Sequence, residues 1–208
     1  MVTSLCAVEL RNLKWATLAY ISQALLLVSI LAAYAITIPN KHLLLWCGTV
    51  LITKAVIIPV LLMRYVKRVS VKEVTPGLGF GVSLLVGAAL MALVYHLVHG
   101  HVAWFIPNRE LGVEPYLTNL AVALTILVLG VFALITRRDV LKMVLSLCII
   151  ENAVHLSLVS LAPEIPETAM IGVVTDVVLA VWILLVIVKG INDTVGDKDV
   201  LKLSKLRG

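Results

Sequence analysis

The sequence predicts an all-α fold: a polytopic integral membrane helix bundle of about six transmembrane helices, with room for part of a seventh at the N-terminus. Three observations predict it. The 208 residues are 61% hydrophobic and their mean hydropathy is +1.08. Apolar runs of about 20 residues recur along the chain, the length needed to cross a bilayer. The charges collect between the runs. A β-barrel is excluded because the runs are continuous rather than alternating. The spans leave little room for a soluble catalytic head, so the chain reads as one membrane domain, 1–208. It divides into an N-terminal three-helix half (1–110), a second three-helix half (111–190) and a tail (191–208).

In chain order, MVTSLCAVEL is apolar but too short to span. It reads as a cytoplasmic-side stub or the end of a further helix. A signal peptide is not expected, because no basic segment precedes an apolar run. Span 15–37 carries Gln23. Span 43–63 carries Lys54, with Pro59 five residues on. A proline there cannot donate to the carbonyl of Ala55 and clashes with it, so a kink beside Lys54 is expected. Span 78–98 holds Gly79, Gly81, Gly87, Ala88 and Ala89, small enough for close helix approach, with Tyr95 and His96 at its outer end. Span 116–136 carries no charged residue. Span 140–162 carries Glu151, Asn152 and His155, and span 168–189 carries Asp176. The tail alternates charges with Val and Leu, as a solvated end or as a docking strap for a cytoplasmic partner.

Charge fixes an orientation. Of the 17 Lys and Arg, Lys41 and Arg109 fall on one side and Lys54 falls inside the membrane. The others, including Arg64, Arg137, Arg138 and Lys142, fall on the opposite side with both chain ends. The positive-inside rule makes that side cytoplasmic. This distribution accounts for the net charge of +5 without nucleic acid. Cys6, Cys47 and Cys148 match no disulfide or metal spacing and read as small packing residues. His99 and His101, read in a loop, are spaced for a metal in principle, though such pairs are ordinarily solvated. No phosphate loop or nucleophile motif is present.

The intramembrane charges carry the functional signal. An ionisable side chain at mid-bilayer costs at least ~2.5–3.5 kcal/mol on insertion scales and by default marks an ion or proton path. At 1.5 Å per residue, Glu151 lies ~15 Å, Asp176 ~20 Å, Lys54 ~14 Å and Gln23 ~12 Å from the cytoplasmic face. The four form one layer. His155, four residues after Glu151, shares its helix face. It is either a relay step or a hydrogen-bonding partner of another helix. Lys54 is either a static counter-ion to Glu151 or Asp176, or a group that exchanges protons.

SLCIIENAVHLSL, followed by GVVTDVVLAVWILLV, resembles the last two helices of the K-type (4L) membrane subunit of respiratory complex I. That family places a Glu mid-helix in each; Glu151 matches the first, and Asp176 the second in position but with a shorter arm. The whole chain resembles the component E family of hydrogenase-4, of formate-hydrogenlyase-type membrane-bound [NiFe] hydrogenases. The likeness runs through ISQALLLVSI, LLLWCGTVLITKAVIIPVLLM and IENAVHL to DVLKLSKLRG. The resemblance implies a subunit without a redox centre or cofactor of its own. It implies [NiFe] and iron–sulfur centres in peripheral hydrogenase subunits, and antiporter-like and quinone-site-like membrane subunits as neighbours. Glu151, Asp176, Lys54 and His155 would form its proton or sodium path in the cytoplasmic membrane, with Gln23, Asn152 and Pro59 supporting. The alternative is a K-like subunit of a multisubunit cation/proton antiporter.

Overall fold

The computed structural model describes residues 1–37, 41–68, 79–101, 115–137 and 139–161, and the single helical positions Val178, Val181, Trp182 and Val186. Every element among them is a helix: α1 Val2–Glu9, α2 Leu13–Thr37, α3 Lys41–Val50, a π turn Leu51–Ile57, α4 Ile58–Arg68, α5 Phe80–His101, α6 Tyr116–Thr136 and α7 Val140–Leu161. Among the described residues, five helices are long and apolar enough to cross a membrane: Leu13–Thr37, Lys41–Arg64, Phe80–His101, Tyr116–Thr136 and Val140–Leu161. At 1.5 Å per residue, 21 or more residues exceed the ~30 Å hydrocarbon core. These are five of the six expected spans. The sixth, 168–189, falls almost wholly outside the described residues, although Val181 joins the core.

Hydrocarbon offers no hydrogen bonds, so helices that satisfy their own backbone are favoured. Hydroxyl side chains in the spans follow the same logic. Thr17, Thr125, Ser146 and Ser160 each donate to the carbonyl four residues back, at 2.8 Å, which lets a polar group sit in an apolar helix.

The helix carrying Lys54 runs through its π turn without a break. Backbone angles are helical at both ends, φ −63° and ψ −39° at Val50 and φ −60° and ψ −49° at Ile58, and Ile58 N–H reaches back five residues to the Thr53 carbonyl. The disturbance expected from Pro59 thus takes the form of a widened turn just before it, and Lys54 sits inside that turn. π turns are rare and occur mostly at functional sites.

α7 is the most buried span and α5 the least, with 67% and 11% of their apolar windows covered. α6 and α7 pack most closely. At Gly130 a Cβ would lie 2.7 Å from Ile150 Cγ1 and 3.2 Å from Ile150 N, so only glycine lets α7 come this near. In α5 the close approach is at Gly87, where a Cβ would meet Leu5 at 3.1 Å. Gly79 and Gly81 have nothing within 4 Å among the described residues and serve no such contact there. α5 also extends to His101, so Tyr95 does not end it, and His99 and His101 lie in its last turn rather than in a loop.

Candidate functional site

Lys54 in the π turn reaches α7. Its Nζ lies 3.2 Å from Glu151 Oε2 and donates to Asn152 Oδ1 at 2.9 Å. Glu151 Oε1 faces His155 Nε2 at 3.3 Å, one turn along the same helix. On the far side of the imidazole, Trp46 Nε1 of α3 donates to His155 Nδ1 at 3.1 Å. Lys54, Glu151, Asn152, His155 and Trp46 are all buried. They make one connected polar line across two helices. Tyr20 of α2 lies fully buried beside Cys148 and in electrostatic reach of Glu151. Glu151 Oε2 and Asn152 Nδ2 have no aligned hydrogen-bond partner among the described residues, so Glu151 Oε2 meets Lys54 as an ion pair. Glu9 Oε2, Tyr20 Oη, Gln23 Oε1 and Arg137 Nε share this condition, against the general rule that buried polar atoms find a partner.

Apolar packing closes the line on both sides. One cluster joins Ala7, Tyr20, Ile58, Leu62, Cys148 and Ala153. The other joins Leu27, Leu31, Trp46, Val50, Leu156 and Val159. Lys54 falls between Val50 and Ile58, and His155 between Ala153 and Leu156, so the polar line occupies the seam between the clusters.

A second buried ionic group, absent from the sequence reading, lies where α1 meets the α6–α7 turn. Glu9 pairs with Arg137 through Oε1 and Nη2. Ser83 of α5 accepts from Arg137 at 2.8 Å and donates to Glu9 at 2.9 Å. Lys142 Nζ donates to the Ala7 and Val8 carbonyls at 2.9 and 3.1 Å, satisfying two of the free carbonyls at the end of α1. Asp139 Oδ1 caps α7 by accepting from the Leu141 and Lys142 amides at 2.9 and 3.2 Å, the usual N-cap arrangement. Burial pushes the Arg137 guanidinium below its ordinary value and Glu9 opposes the shift; a guanidinium keeps its charge regardless. Arg137 and Lys142, read from sequence as loop cations, are therefore 5% and 2% exposed. The available signal was Glu9 itself: no other Asp or Glu precedes Glu73, and an acid in an apolar stretch needs a partner.

Of the expected site residues, Lys54, Glu151, Asn152 and His155 come together, and Pro59 adjoins the π turn. Gln23 does not join them. It donates to Ser4 of α1 at 2.9 Å, because α1 packs against α2 as part of the bundle, and Tyr20, one turn earlier, lies beside Cys148 instead. Asp176 lies outside the described residues. Cys148 is buried, Cys47 half-buried and Cys6 exposed, so Cys6 is no core residue. No group of three or more metal-ligating side chains occurs among the described residues.

A helix bundle with an ion-paired acid inside a span is a polytopic membrane protein with an intramembrane ionic site, and similarity to known proteins narrows the class. The family description NADH-ubiquinone/plastoquinone oxidoreductase chain 4L matches residues 118–208, which include α7. Hydrogenase-4 component E of Escherichia coli K12, of Escherichia coli O157:H7 and of Shigella flexneri are each 32% identical over 212 aligned residues, covering all of this chain and 94% of the relative. No solved structure matches. The chain belongs to the hydrogenase-4 component E family, and it is a membrane subunit of that complex I-related group.

Proposed function

We propose that this subunit couples electron transfer in a membrane-bound hydrogenase to proton or sodium translocation, through Lys54, Glu151 and His155, with Asp176 continuing the path. The carrying observation is the unbroken line of three titratable side chains at 3.2 and 3.3 Å, sealed between two apolar clusters. A buried pair that served only to hold helices together would need no histidine beside it. The [NiFe] and iron–sulfur centres would reside in peripheral hydrogenase subunits, beside antiporter-like and quinone-site-like membrane subunits. The full-length likeness to hydrogenase-4 component E favours this reading over the antiporter alternative.

The test is Glu151→Gln in the assembled complex, in sealed vesicles. The amide keeps size and hydrogen bonding but cannot carry the proton. Hydrogenase turnover in detergent should persist while ions moved per electron fall strongly. Asp176→Asn should act in the same direction, more weakly. Assembled variants with unchanged ion yield would make both acids structural. The proposed orientation, with both chain ends cytoplasmic, is checked by cysteine labelling at Glu164 and Ser204, which should show opposite accessibility.

A further inference from the structure

The ring nitrogens of His155 face unlike partners. Trp46 Nε1 lies 3.1 Å from Nδ1, and an indole N–H can only donate. Nδ1 must therefore accept, and carries no proton. The neutral ring then holds its proton on Nε2, facing Glu151 Oε1 at 3.3 Å. Which nitrogen of a histidine is protonated is set by the bond that the other nitrogen makes. Here that bond comes from α3, across the bundle from α7. The rings sit 5.7 Å apart at 39°, and Trp46 lies buried in one apolar cluster with Leu27, Leu31, Val50, Leu156 and Val159, so the indole has little freedom to turn away.

We propose that Trp46 is a positioning residue that holds His155 as the Nε2–H tautomer, aims its proton at Glu151 and caps Nδ1. In this conformation the polar line ends at Trp46. A proton passing through the imidazole must enter at one nitrogen and leave at the other. Such passage would require the Trp46 N–H to move off Nδ1. The consequence for translocation rests on the function proposed above; the tautomer itself does not.

The test is nitrogen NMR of the full chain, labelled at histidine, in bilayers. The five histidines are resolved by difference against His155→Gln. In the unsubstituted chain, Nδ1 of His155 should resonate as an unprotonated, hydrogen-bonded nitrogen and Nε2 as a protonated one. A protonated Nδ1 overturns the proposal without any further variant. Trp46→Phe keeps the ring bulk and deletes the N–H, so the Nδ1 resonance should leave its hydrogen-bonded position. An unmoved resonance overturns the proposal whatever the ion yield. If the resonance moves and ions per electron fall in the assembled complex, Trp46 acts on translocation through His155. If the resonance moves and the yield holds, the tautomer assignment stands and translocation does not depend on the Trp46 N–H.

Discussion

Among its described residues the molecule buries two ionic groups, and they are built differently. At the α6–α7 turn, Arg137 meets Glu9 and Ser83, while Lys142 is tied to backbone carbonyls. Its key cation is a guanidinium, which stays charged, and its bonds join α1, α5, α6 and α7. Such a group fixes helices. In the seam, Lys54, Glu151 and His155 are each able to gain or lose a proton, whereas in the clamp Glu9 and Lys142 are but Arg137 is not, and Glu151 meets a different partner through each oxygen. Burial alone does not distinguish a path from a clamp. The chemistry of the partners does.

The largest expected effect is on the clamp. Arg137→Met strands Glu9 in a buried site, and removing one partner of a buried pair costs ~3–5 kcal/mol. Thermal unfolding in detergent should show most of that loss, with Arg137→Lys retaining part of it. A small loss would mean that Glu9 is solvated and that α1 is not pinned by charge.

Lys54→Met should cost about 3 kcal/mol for the same reason. Lys54→Met combined with Glu151→Gln leaves no unpaired charge and should recover most of it. The double-mutant cycle isolates the coupling, and additivity of the two losses would dissolve the pair. In sealed vesicles the double variant should stay translocation-deficient, which separates stability from transport. No comparable functional loss is expected from a clamp variant that folds.

Smaller effects test the scaffold that holds both groups. Gly130→Ala drives a methyl group into Ile150, and overpacking of this kind costs ~1–3 kcal/mol. Ser83→Ala removes one buried hydroxyl from the clamp, worth about 1 kcal/mol. Gly81→Ala meets nothing within 4 Å and should shift stability by less than ~0.5 kcal/mol.

The seam was legible in the sequence because charges stand out in apolar runs. Lys54, Glu151 and His155 were identifiable from composition and spacing, and their similar depth brought them together. Trp46 was not, since an aromatic in an apolar helix reads as ordinary core; only its indole N–H, aimed across the bundle, gives it a role. The clamp was hidden for another reason. Arg137 and Lys142 lie next to a turn, where cations normally report topology, and Glu9 lies before the first full span. Their partners are 128 and 135 residues apart in sequence, and no local pattern encodes that. Gln23 shows the limit of depth reckoning, because equal depth does not set which way a side chain faces.

The one-turn offset between Glu151 and His155 has an electrical consequence. Carrying one charge across the full membrane against 100 mV takes ~2.3 kcal/mol. One helical turn advances only ~5.4 Å along the axis of a hydrocarbon layer ~30 Å thick. Charge passing between these two side chains therefore works against roughly a fifth of the voltage, about 0.4 kcal/mol per 100 mV. Exchange within the seam is nearly blind to the membrane potential, and the voltage-sensitive work falls on whatever delivers charge to Lys54 and Glu151 or removes it beyond Trp46.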